Sequence, residues 1–101
     1  MAGGKPKEQP MPPDVIGRDE AVEVLRAFVI DGGLSISFMR AFEDPGTWGV
    51  LLVDIARHAA RAYQNEGVMS EAEALQAIRE MFEAEVASPT DPGVTSPRSG
   101  H

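Results

Sequence analysis

The chain has 101 residues, a formal net charge of −7 and no cysteine. That acidic balance supplies no general positive field to displace counterions from nucleic-acid phosphates, and it disfavours anionic lipid surfaces. No disulfide staple or thiolate metal site can form, and no apolar run reaches the ~20 residues that a membrane-spanning helix needs.

Residues 1–13 carry Gly3, Gly4, Pro6, Pro10, Pro12 and Pro13, and residues 88–101 carry Pro89, Pro92 and Pro97 among serines, threonines and glycines. Neither stretch has hydrophobic periodicity, so both are expected as disordered tails. A single α+β domain over 14–87 is left, a length at which one core is only marginally sufficient. No apolar segment follows Met1-Ala2-Gly3-Gly4-Lys5-Pro6, which argues against a secretory signal and sets a cytoplasmic expectation.

Pro12-Pro13-Asp14 closes the leading stretch, and 14–20 reads either as turns around Gly17 or as a short helical turn capped by Asp19. From Val22 to Ile30 the chain is dense in β-branched and aromatic residues and stops at Asp31-Gly32-Gly33, a strong turn signal. Leu34-Ser35-Ile36-Ser37-Phe38-Met39-Arg40 then alternates with period two, so a β-hairpin is expected over about 22–30 and 34–40. A helix over 20–29 is the competing assignment, because Ala21, Leu25 and Phe28 also share a helical face. Within the hairpin, a two-residue loop puts Leu25, Ala27 and Val29 on the face of Leu34, Ile36 and Phe38. A three-residue loop would flip the first strand. Two residues are favoured, because Asp-Gly and Gly-Gly both accept the positive φ of a type I′ turn.

Asp44-Pro45 is a helix start, with a carboxylate cap and a proline where a missing N–H costs nothing. The helix should run over about 45–65, with Gly67 as its left-handed stop. Trp48, Leu51, Leu52, Ile55, Ala59 and Ala62 give its expected apolar face, opposite Asp54, Arg57, His58 and Arg61. Ser70-Glu71-Ala72-Glu73 is a capping box opening a second helix over about 70–87, expected to bury Leu75, Ile78, Met81, Phe82 and Val86. The short link makes the helices antiparallel neighbours, and the expected architecture is two-layer ββαα, the hairpin packed by the helix pair.

Val22-Glu23-Val24-Leu25-Arg26, Asp31-Gly32-Gly33-Leu34, Asp44-Pro45-Gly46-Thr47-Trp48-Gly49 and Asp54-Ile55-Ala56-Arg57-His58 together carry a resemblance. Ala60-Arg61-Ala62-Tyr63 and Ile78-Arg79-Glu80-Met81-Phe82-Glu83-Ala84-Glu85 extend it. The chain resembles the family of short bacterial proteins catalogued as domain of unknown function 5076. The resemblance supports the domain limits and implies no reaction, ligand or partner.

The polar side of the first helix is the candidate binding stripe: Asp54, Arg57, His58 and Arg61. Asp54 and His58 stand four apart, so a carboxylate could orient an imidazole for general-base work. Surface pairing along the helix is the simpler account. The cations suit a carboxylate, a phosphate or an acidic partner, but they also suit ion pairs with Glu66 or with acids of the second helix. Trp48 beside Gly46 and Gly49 is read as core packing rather than a ligand pocket. Asp31-Gly32-Gly33 is a turn and not a phosphate loop, since no helix with Lys-Ser/Thr follows it. The sequence assigns no catalytic residue, no cofactor and no metal site.

The outer hairpin face, Val24, Phe28, Ile30 and Met39, is the candidate interface, because it is too apolar to leave wet. Residues 14–20 or the N-terminal stretch covering it within one chain is the competing account. The leading expectation is a small non-enzymatic interaction domain that pairs with itself, as a homodimer, or with another protein through the hairpin. The alternative is a small ligand-binding protein or enzyme using the polar stripe. Neither nucleic acid nor membrane is expected as a partner.

Overall fold

The structure is a computed structural model describing residues 4–90. Residues 1–3 and 91–101, which hold parts of both expected tails, lie outside the described residues. The elements follow in the order β1 (Leu25–Ile30), β2 (Gly33–Phe38), α1 (Pro45–Asn65) and α2 (Glu71–Ala87). They divide between two compact units that part after Phe38.

In the first unit, β1 and β2 pair antiparallel, with Leu25 opposite Phe38, Ala27 opposite Ile36 and Val29 opposite Leu34. The register is the one that a two-residue loop dictates. Asp31 and Gly32 occupy that loop with φ of 53° and 76°, the pair of positive angles that defines a type I′ turn. Its twist matches that of the strands, which is why the β assignment wins over a helix across 20–29. The strands are shorter than expected. The ladder ends at Leu25–Phe38, so Val22 to Val24, Met39 and Arg40 fall outside it for want of a partner opposite. Residues 12–21 form successive turns, with Val15 N–H bonding the Pro12 carbonyl at 3.0 Å and Arg18 N–H the Val15 carbonyl at 3.0 Å. Gly17 supplies the left-handed residue among them, at φ 79°.

In the second unit, Asp44 caps α1 by accepting the Gly46 N–H at 2.8 Å, and Pro45 takes the first helical position. At the other end, Gly67 N–H bonds the Gln64 carbonyl and Val68 N–H the Tyr63 carbonyl, both at 3.0 Å, with Gly67 at φ 74°. That is a Schellman closure, as the Gly67 position requires. The capping box at α2 is complete: Glu73 N–H donates to the Ser70 hydroxyl, and Ser70 N–H to the Glu73 carboxylate, each at 3.1 Å.

The helices pack together, but through smaller residues than the periodicity suggests. Ala60 of α1 and Ala74 of α2 are the buried side chains among the described residues, with Leu51, Ala56 and Ala59 half-buried on α1 and Leu75 and Ile78 on α2. The expected α1 face is corrected at Leu52, Ile55 and Ala62, and the α2 core at Met81, Phe82 and Val86, all of which are exposed. Helix separation depends on side-chain size at the contact, so alanines allow close approach and turn the bulkier flanking residues outward.

Two stability outcomes are expected. Ser70→Ala, which removes one half of the reciprocal cap, should lower stability by about 1 kcal/mol in thermal unfolding followed by circular dichroism. The Glu73 carboxyl is held below the ordinary range, chiefly by the Ser70 N–H and then by the Ser70 hydroxyl. A depressed acid contributes stability above its unfolded pKa and loses it as the pH falls through the folded value. Unfolding temperature should therefore drop on acidification below the usual carboxylate range, and Glu73→Gln should flatten that limb.

Candidate functional site

The polar stripe expected on α1 is divided by the fold. Arg61 Nε lies 3.6 Å from the Glu71 carboxylate at the start of α2, and Gln64 accepts the Glu71 N–H at 2.7 Å. That N–H is one of the first-turn donors that a helix cannot satisfy internally, so the last turns of α1 help to cap α2. Arg61 is thereby the cation paired with an acid of the second helix that the simpler account expects. Asp54, Arg57 and His58 remain on the exposed surface of α1, and among the described residues none of their side chains makes a hydrogen bond or an ion pair. The helix places Asp54 and His58 one turn apart without joining them.

Trp48 takes the packing role. It is half-buried, with its ring edge-on to Phe42 at 5.2 Å between centroids and 70° between planes. Such geometry matches the positive ring edge to the negative ring face, and it fixes the chain direction just before the Asp44 cap. Among the described residues no three His, Asp or Glu side chains gather in a way that could hold a metal ion.

The candidate interface on the hairpin is more crowded than α1. Val24 and Phe28 are half-buried, while Ile30 and Met39 are exposed. Arg26, on the face of Phe28, stands with its guanidinium 6.0 Å from the Phe28 ring centroid. It is held by Glu23 at 2.7 Å and by Glu8 at 2.9 Å, and both pairs raise its pKa, Glu23 more strongly. Glu8 belongs to a proline-rich strap that runs beside β1, and residues 6–12 and β1 enclose a groove of about 940 Å³ reaching Ser35 of β2. The strap is the kind of intramolecular cover that the competing account of this face expects from the N-terminal stretch. The sequence did not single out the Glu8–Arg26 pair, because opposite charges are too common to stand out.

The model for a domain of unknown function, DUF5076, matches residues 8–90. The chain belongs to the DUF5076 family. The match takes in the strap from Glu8 onward as well as all four elements. No curated protein matches the chain. A solved structure described as "a putative pyruvate dehydrogenase from the photosynthetic bacterium Rhodopseudomonas palustrus" is 67% identical to it. The match covers 95% of this chain and 97% of that one, with a TM-score of 0.77. The DUF5076 fold is thus shared with a bacterial protein over nearly its whole length.

The stripe carries a direct prediction. Exposed ion pairs contribute little, so Arg61→Ala should change stability by less than about 1 kcal/mol. His58→Ala should leave the unfolding temperature at the wild-type value.

Proposed function

We propose that this DUF5076 protein is a small non-enzymatic interaction domain that associates with a second copy of itself through the β-hairpin. The observation that carries the reading is the exposure of apolar side chains on a two-stranded sheet: Val29 is 78% exposed, Leu34 70% and Ile30 63%. A lone hairpin is marginally stable in water and gains stability by burying such surface against something else. Exposed apolar patches of this kind mark interaction sites. The acidic, cysteine-free composition is consistent with a cytoplasmic protein, and no helix among the described residues is long and apolar enough to cross a membrane.

A second reading rests on Asp54, Arg57 and His58, three polar side chains on α1 that no intramolecular bond occupies among the described residues. It would make the protein a binder of a small anion, or an enzyme. The activity named for the related bacterial structure belongs with this second reading, and the site it would need is the stripe.

Light scattering over a wide concentration range separates the two. Twice the chain mass is expected at high concentration, and Val29→Glu should return it to a single chain while leaving the helical circular dichroism intact. A single-chain mass at every concentration would sink the interaction reading. Changing His58 to Ala should leave the mass unaltered.

A further inference from the structure

The two-residue loop fixes which peptide groups of β1 are spoken for. Ile30 and Gly33 flank the turn as a hydrogen-bonded pair, so Ile30, Phe28 and Arg26 bond β2. The N–H and C=O groups of Leu25, Ala27 and Val29 point the other way, out from the free edge of the sheet. Residues 6–12 run beside that strand, yet among the described residues no backbone hydrogen bond joins them to it. The strap carries Pro6, Pro10 and Pro12, which have no N–H to donate. The edge is flanked without being satisfied.

We propose that β1 pairs antiparallel with β1 of a second copy across a two-fold axis at Ala27, and that the proline-rich strap guards this edge until the copies meet. The inference rests on the self-association reading and names its surface. Three two-fold registers are close in sequence. Centring on Arg26 sets that cation opposite itself, and like charges directly opposite are destabilising. Centring on Phe28 leaves the Leu25 peptide groups beyond the ladder. Centring on Ala27 matches Ala27 with Ala27, and Leu25 with Val29 of the second copy, so every outward peptide group of the three residues has a partner. It also sets Arg26 opposite Phe28 of the second copy, the cation and ring that already face each other within one chain. The strap can leave, because its described polar anchor to the hairpin is the solvent-exposed Glu8–Arg26 pair and Arg26 keeps Glu23 when Glu8 departs. Proline and an intramolecular cover are recognised means of keeping strand edges from indiscriminate pairing.

The absence of native cysteine makes the register directly readable. In the Ala27-centred pairing the two Ala27 Cα atoms lie ~5.5 Å apart, within the ~4.4–6.8 Å span of a disulfide. Full-length Ala27→Cys should therefore form a covalent dimer under mild oxidation several-fold faster than Ser37→Cys on β2. Glu8→Gln added to Ala27→Cys should speed it further, since it loosens the guard. Equal rates at the two positions, in a protein whose mass by light scattering is that of a dimer, would overturn the edge pairing and leave hairpin association standing. A single-chain mass for both wild type and Glu8→Gln would overturn the association reading, and the edge pairing with it.

Discussion

Peptide groups at a helix end have no partner inside the helix, and the turn from Tyr63 to Glu73 is where this chain meets that requirement twice in eleven residues. The N–H groups of Gly67 and Val68 turn back to the carbonyls of Gln64 and Tyr63. Ser70 and Glu73 cap each other, and the Gln64 side chain takes the Glu71 N–H. Each bond restricts the direction in which α2 can leave α1. The packing of the helices, which buries Ala60 and Ala74, depends on this corner, because α2 has to be sent back along α1.

A contact built on alanine buries little area, and burial is worth roughly 25 cal/mol per Å² of apolar surface. The helix pair therefore has limited means of its own, and the larger residues Val50, Phe82 and Val86 stay exposed. The hairpin has the complementary arrangement, with a well-specified turn and register but apolar side chains open to water. Both units are locally well determined and poor in buried surface. Small domains lacking disulfides commonly meet that shortage by association, which is why the interaction proposed for this protein is placed on the exposed hairpin and not on the solvated stripe of α1.

Local chemistry made much of this legible. Asp44-Pro45, Gly67, the Ser70–Glu73 box and Asp31-Gly32 each encode a backbone geometry that few other residues tolerate, and helix limits and hairpin register follow from them. The faces were harder to read. On α1 the expected stripe keeps Trp48, Leu51 and Ala59 half-buried but leaves Leu52, Ile55 and Ala62 exposed, whereas Ala56 and the buried Ala60 lie on an adjacent one. Periodicity weighted by hydrophobicity selects the first, because nothing in a single sequence says which neighbour will face an alanine. The N-terminal stretch was ambiguous for a related reason: proline density looks alike whether a segment is loose or laid beside a strand, so a tail and a cover for the outer hairpin face were both open readings.

The stripe and the edge also differ in how a partner would be recognised. Of the four residues of the α1 stripe, Arg61 is engaged by Glu71, which leaves Asp54, Arg57 and His58 as polar groups in water, where any ionic pairing with an incoming ligand is weakened by screening. The edge of β1 presents fixed peptide groups spaced by the strand itself, so recognition there needs no ordering of long side chains. The side chains only choose the register. Arg26 is the residue on which that choice turns: it opposes its own copy in one register and meets a ring in the next. In the proposed pairing, one cation at the second position of a six-residue strand would do for specificity what the peptide groups, identical along the strand, are unable to do.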